Sequence, residues 1–180
     1  MINWRAESVS QYEDVQTINH CPHWPEDKRL RLYHRASRDN ARTPVQWDST
    51  EHAGFTTGTP WFTVNPNYRE INVAAAEADP DSLLHFYRKA IKLRKELSAV
   101  RFGKYKEYFR LSGTFYVYAM ESPSQRVLVI CSFSSEAKYF RAPRGYDLAK
   151  GKLVLSNYGS SLRNNGFTSM PYETRVYVFE

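Results

Sequence analysis

The chain has 180 residues, enough for one ordinary domain or for one and a piece. Apolar residues at 42% and aromatics at 15% can build a core. A mean hydropathy of -0.61, with no run near the ~20 apolar residues that span a bilayer, excludes a membrane-embedded chain. The net charge of +6 comes from Lys and Arg spread along the sequence, with a local excess at Lys89, Lys92, Arg94 and Lys95. Scattered cations of this kind mark a solvated surface and argue against nucleic acid as a partner.

The first residues carry no charged-then-apolar leader, so a cytoplasmic location is expected. Over residues 1–36 the sequence is polar with short helical stretches. Ser10, three residues before Glu13, has the spacing of a capping box, and Tyr12, Val15 and Ile18 follow at helical spacing until Pro22 and Pro25 interrupt. His20-Cys21-Pro22-His23 has no second ligand pair at metal-site spacing, only His34, so no metal or cofactor is expected. Cys21 and Cys131 are too few and too distant for a disulfide framework.

Residues 37–72 read as one long irregular loop, punctuated by Pro44, Gly54, Gly58, Pro60 and Pro66. Loops of that length are functional or disordered. Trp47, Phe55, Trp61, Phe62 and Tyr68 argue against disorder, because a floppy segment does not carry so much apolar surface. The loop is therefore expected to pack against something large that this chain does not contain. Within it, Ser37 to Asp48 crowds together Arg38, Asp39, Asn40, Arg42, Gln46, Trp47 and Asp48. So many hydrogen-bonding groups fit neither a helix face nor a buried strand. Such a cluster is either a self-satisfied salt-bridge knot or a sugar clamp, in which planar donors take paired hydroxyls and an aromatic plate meets the C–H face.

Residues 79–98 are predicted to form a helix. Asp79 serves as N-cap, Pro80 fits the first turn and Asp81 complements the dipole. Leu83, Phe86, Tyr87, Ala90, Ile91 and Leu97 make an apolar stripe. From Gly103 the period changes to two. Strands are predicted at 105–110, 114–121, 126–133, 138–141, 152–156 and 174–179, separated by turns at Ser112-Gly113, Ser122-Pro123-Ser124, Pro143-Arg144-Gly145 and Asn164-Asn165-Gly166. Short strands at this spacing predict an antiparallel sandwich.

The run Arg38-Asp39-Asn40-Ala41-Arg42-Thr43-Pro44-Val45-Gln46-Trp47-Asp48 is followed by Ala53-Gly54-Phe55-Thr56, Pro60-Trp61, Val64-Asn65-Pro66-Asn67-Tyr68 and Ile71-Asn72. Together these resemble the α-glucosidases of glycoside hydrolase family 13, in the group of oligo-1,6-glucosidases, dextran glucosidases and trehalose-6-phosphate hydrolases. Met1-Ile2-Asn3 resembles the tail of the family sequence after the eighth barrel strand. The stretch from His20 to Ala36 departs from the family, which has a longer helical insert there. Leu155-Ser156-Asn157-Tyr158 and Pro171-Tyr172-Glu173 resemble landmarks of the family's C-terminal domain.

The resemblance implies an α+β fragment. Residues 1–100 would be the last βα loop and closing helix of a (β/α)8 barrel, and 101–180 an all-β antiparallel sandwich. Met1 would then be an internal methionine. Retaining glycosidases need two carboxyl groups about 5–5.5 Å apart. In this family both, and a third Asp that grips the sugar, precede the eighth strand, so no catalytic residue is expected here; Asp39 and Asp48 match no catalytic motif. Arg42 aligns with the arginine that binds the glucosyl unit, the substrate-binding role. Arg38, Asp39 and Asn40 would lock the loop and Trp47 would pack it. Implied partners are an α-glucoside oligosaccharide or disaccharide and the missing barrel portion. The alternative is a stand-alone carbohydrate-binding or protein-interaction module, with Tyr105, Tyr108, Tyr116 and Tyr118 as a platform, although these tyrosines are expected to form a core face instead. A fragment should leave the helix 79–98 stripe exposed, whereas a self-sufficient module should bury it.

Overall fold

The computed structural model describes residues 4–159, 162 and 165–180. Met1-Ile2-Asn3, and Asn164 of the last predicted turn, lie outside the described residues. The chain divides into two units, Met1–His85 and Phe86–Glu180.

The first unit is built on local caps and aromatic rings rather than on a sheet. Helix α1 (Val15–Asn19) starts where the Asp14 carboxylate accepts the Gln16 amide, four residues later than the Ser10 cap predicts. The Ser10 hydroxyl is engaged with that of Ser8, and Gln11 accepts from the Glu7 and Ser8 amides, so the earlier turn is a separate 3-10 turn, Val9–Gln11. The predicted stripe splits accordingly: Tyr12 is buried while Val15 and Ile18 are exposed. Helix α2 (Glu26–Ala36) begins at Pro25, with Glu26 and Asp27 in its first turn and His34 and Arg35 in its last, charges that suit the helix dipole at each end. Ala6, Tyr12 and Tyr33 form a small core flanked by Trp4, Val9, Leu30 and Leu32.

Residues 37–72 carry three 3-10 turns, Arg38–Ala41, Glu51–Gly54 and Pro66–Arg69. His52, Ala53 and Gly54 are successively left-handed (φ 53, 59 and 64°), a run that L-residues adopt only when their surroundings over-determine it. The Trp47 and Asp48 amides both donate to the Ala53 carbonyl, and the Asp48 carboxylate lies against Gly54 where a Cβ would collide at 2.6 Å.

An Ala-rich helix not expected from the sequence, α3 (Val73–Ala78), follows from Asn72, whose side chain accepts the Ala75 amide. It displaces the next helix: Asp79 ends α3, and α4 runs Leu83–Glu96, with Ser82 Oγ accepting the His85 amide. No residue of α4 is buried. Leu83, Tyr87 and Ile91, one turn apart, are 72%, 61% and 50% exposed.

In the second unit, helix α5 (Ser98–Phe102) leads into β1 (Lys104–Tyr108), β2 (Phe115–Glu121), β3 (Arg126–Ser132), β4 (Lys138–Arg141), β5 (Lys152–Ser156), β6 (Gly166–Ser169) and β7 (Thr174–Phe179). The sheets are antiparallel: five strands in the order β1-β2-β3-β7-β5, and a separate β4-β6 pair. Strand β6 was not expected; four residues with one large apolar side chain give no period-two signal. Register puts Val117 opposite Ile130 and Ala119 opposite Leu128, so these share a face. They bury against Phe140, Tyr146, Leu148 and Phe167. The opposite face packs Val127 and Val178 on Ala99, flanked by Leu97 and Val100. Glu173 and Arg175 are a fully buried pair (2.6 Å), with the guanidinium 3.6 Å from the Phe167 ring centre. Among the described residues, no helix is long and apolar enough to cross a membrane.

Candidate functional site

The Arg/Asp-rich run folds into a knot around two buried carboxylates. Ser37 caps the 3-10 turn by accepting the Asp39 amide, which turns the Asp39 side chain inward to complete burial. There its Oδ2 accepts the main-chain amides of Glu13 (2.8 Å) and Asp14 (2.9 Å), and its Oδ1 accepts Arg42 Nη1 at 3.1 Å. The second carboxylate, Asp14, accepts Arg38 Nε (2.8 Å), the Arg38 amide (3.1 Å) and the Thr17 hydroxyl (2.7 Å). The Arg38 guanidinium holds the Asp14 carboxyl well below the usual carboxylate range, because the ionised form gains a charge-assisted pair that the neutral acid lacks.

The sequence-predicted residues take distinct positions around this knot. Arg42 closes the turn in the bridge region (φ -107, ψ 1), and its side chain stays 39% exposed although one Nη is held by Asp39. Arg38 covers Asp14 with 54% of its side chain exposed. Asn40 donates to the carbonyls of Tyr33 and His34, tying the turn to the end of α2. Trp47 anchors through its backbone, donating to Ala53 and accepting from Ala74, while the residue is 51% exposed. Asp48 does not join the knot; its carboxylate accepts the Thr50 amide and hydroxyl, and those bonds lower its pKa.

Asp14 carries the site without being singled out by the sequence, whereas Gln46 and Asn65 belong to the motif runs but have no role assigned by them. Gln46 Nε2 donates to the Ile71 carbonyl and to Asn67, and Asn65 Nδ2 donates to the Thr43 hydroxyl. They fasten the two ends of the loop to one another. Asp14 was visible as an Asp before a short apolar run; Gln46 and Asn65 lay within the family-like runs, but their partners, 21 to 25 residues away, are not encoded locally.

The tyrosines on the sheet separate into two sets. Tyr108 packs on the main core and meets Tyr146 edge-on at 5.8 Å. Tyr105, Tyr116 and Tyr118 lie on the other face, with centroids 5.4–5.5 Å apart and the Tyr105 and Tyr116 hydroxyls 3.1 Å apart. Tyr105 and Tyr116 remain 52% and 40% exposed. The expected core face of tyrosines is thus corrected: the strand pairing gives the interior to Val117 and Ala119. The hydroxyl bond shared with Tyr116, and to a lesser degree partial desolvation, push the Tyr105 phenol up to about 12.

Comparison with known proteins matches residues 10–103 to the family described as alpha amylase, catalytic domain. The chain is 40% identical to an oligo-1,6-glucosidase of Halalkalibacterium halodurans over 99% of its own length and 33% of that relative. It is 36% identical to a trehalose-6-phosphate hydrolase of Bacillus subtilis, over 98% of this chain and 33% of that one. The solved trehalose-6-phosphate hydrolase of Bacillus licheniformis superposes with a TM-score of 0.86 at 35% identity, covering 99% of this chain and 34% of that structure. The chain therefore spans about a third of the length of the curated relatives it matches. On the strength of a family match across more than half its length, and of relatives alike along nearly all of it, the chain belongs to the alpha-amylase family, glycoside hydrolase family 13.

Proposed function

We propose that the chain is the C-terminal portion of a retaining α-glucosidase acting on short α-glucosides, comprising the last βα loop and closing helix of a (β/α)8 barrel followed by a β-sandwich. In this reading residues 1–100 complete the barrel and 101–180 form the sandwich. Arg42 supplies a glucose-binding guanidinium, and the nucleophile and acid/base carboxylates reside in the barrel portion that this chain does not include. Its two free cysteines, Cys21 and Cys131, are in keeping with a cytoplasmic location.

The observation that carries the reading is the setting of Arg42. One Nη is fixed by a carboxylate buried beneath it, while 39% of the side chain stays open. A guanidinium held in this way presents planar donors in a preset direction, which suits two vicinal hydroxyls better than a lysine ammonium would. Fixing the sugar before attack lowers the barrier by restricting its motion. The bare stripe of α4 supports the same reading, since a closing helix turns that face to barrel strands.

The test is direct. The purified chain should not hydrolyse p-nitrophenyl α-glucoside, and turnover abolished by Arg42→Ala would overturn the assignment. A second reading, a sugar- or protein-binding module, is favoured by the exposed Tyr105 and Tyr116 rings. It requires that Tyr116→Ala weaken binding of a glucan to the chain.

A further inference from the structure

We infer that Asn165 is a modification site, at which attack by the Gly166 nitrogen turns the side-chain amide into a carboxylate. The native fold holds this reaction in check, and once it has run the segment 142–148 is not latched again.

Asn165-Gly166 is the one Asn-Gly pair in the sequence. With no side chain on the glycine, nothing hinders the approach of its nitrogen to the asparagine Cγ. The fold requires both residues. Gly166 opens β6 opposite Arg141, where a Cβ would lie 2.4 Å from the Phe140 carbonyl oxygen and 2.6 Å from the Tyr139 hydroxyl. No bulkier residue fits there. Asn165 is left-handed (φ 56°), a conformation that Asn tolerates, and it uses both ends of its amide. Its Nδ2 donates to the Tyr146 carbonyl at 2.7 Å and its Oδ1 accepts the Leu148 amide at 2.6 Å. Its own carbonyl accepts the Ala142 amide at 3.1 Å.

Three bonds from one residue thus hold the segment 142–148 at both ends. Tyr146 and Leu148 on that segment are buried in the main core. An aspartate could accept from Leu148 but has no proton for the Tyr146 carbonyl, and a glycine could serve neither. The turn therefore demands the very pair of residues whose chemistry makes asparagine thermolabile.

In the reaction the Gly166 nitrogen forms a bond to Asn165 Cγ, the Cγ–Nδ2 bond breaks, and ammonia leaves with the proton that Gly166 gives up. Water then opens the five-membered imide at either carbonyl, leaving aspartate or its iso form. In the native turn any rotation of the amide breaks its bonds to Tyr146 and Leu148, so the reaction waits on local opening. Afterwards a carboxylate oxygen faces the Tyr146 carbonyl where an N–H had been. Two acceptors in contact leave both unsatisfied.

The experiment incubates the full chain in mildly alkaline buffer, folded and in urea, and follows residue 165 by proteolysis and mass spectrometry. Conversion should be at least about tenfold slower in the folded chain. Equal rates, or no conversion in urea, overturn the site. Asn165→Asp, which reproduces the product, should raise the unfolding equilibrium constant about tenfold, read by thermal unfolding in the far ultraviolet. That deficit should shrink as pH falls towards about 4, because the neutral carboxyl can again donate to Tyr146 and its folded pKa is raised by that need. Asn165→Gly suits the left-handed backbone but has no side chain, and should lose stability without that pH dependence. An Asn165→Asp chain as stable as the natural one, or the same pH dependence in Asn165→Gly, overturns the latch.

Discussion

Replacing Asp39 by alanine removes the acceptor on which three separate donors converge. Two of these are main-chain amides, of Glu13 and Asp14, bound at 2.8 and 2.9 Å by a carboxylate that is 0% exposed. Stranding a buried donor costs about 1–3 kcal/mol. The third donor, Arg42, is 39% exposed, so water replaces most of its bond and the loss there is under about 1 kcal/mol. The expected destabilisation is about 3–5 kcal/mol. Asp39→Asn keeps an oxygen for the amides but turns its NH₂ towards the Arg42 guanidinium, and should cost about 1–2 kcal/mol. The assay is urea unfolding followed by tryptophan fluorescence. All four tryptophans, Trp4, Trp24, Trp47 and Trp61, lie within the first unit, so the signal reports that unit alone. A loss below about 1 kcal/mol for the alanine variant would refute the reasoning, because buried amides cannot be left unpaired so cheaply.

Three further outcomes follow from the geometry. The Asp14 carboxyl has a native pKa depressed by Arg38, so its stabilisation is present above the unfolded value of about 3.9 and drains away as pH falls through the lower native one. The fluorescence midpoint should therefore drop as the medium is acidified below that value, and Arg38→Gln should start lower and lose less over the same window. The pair Leu83→Lys and Ile91→Lys, both on the exposed face of α4, should reduce binding of a hydrophobic dye while shifting stability within about 0.5 kcal/mol; unchanged dye binding would mean that another surface attracts the dye. Glu173→Ala deprives the buried Arg175 guanidinium of its carboxylate and should cost about 3–5 kcal/mol, read by thermal unfolding in the far ultraviolet.

What was legible in the sequence was whatever depended on neighbours in the chain. The strands β1 to β5 and β7 follow alternation that survives without context, and the body of α4 follows its stripe. Starts were less legible, because several residues compete to cap. Ser10 has the right spacing, but its hydroxyl goes to Ser8, and Asp79 has the right chemistry, but it closes α3. The candidate site was recognisable as a cluster of Arg, Asp and Asn. Its organisation was not, because Asp39 binds amides twenty-five or twenty-six residues away, a pairing that no local period encodes. For the same reason the tyrosines of β2 could be placed on one face, but which face lies inward depends on the register with β3.

The Asp39 carboxylate also closes a ring of chain. By gripping the amides of residues 13 and 14 it brings the two ends of the α1–α2 excursion together, so that everything between them leaves and returns at one fixed point. Such a segment can gain or lose whole turns of helix with little effect on where the arginine stands. Natural variation in length should therefore gather in residues 20–36, and a graft or tag inserted there should be borne by the fold more readily than a single substitution at position 39.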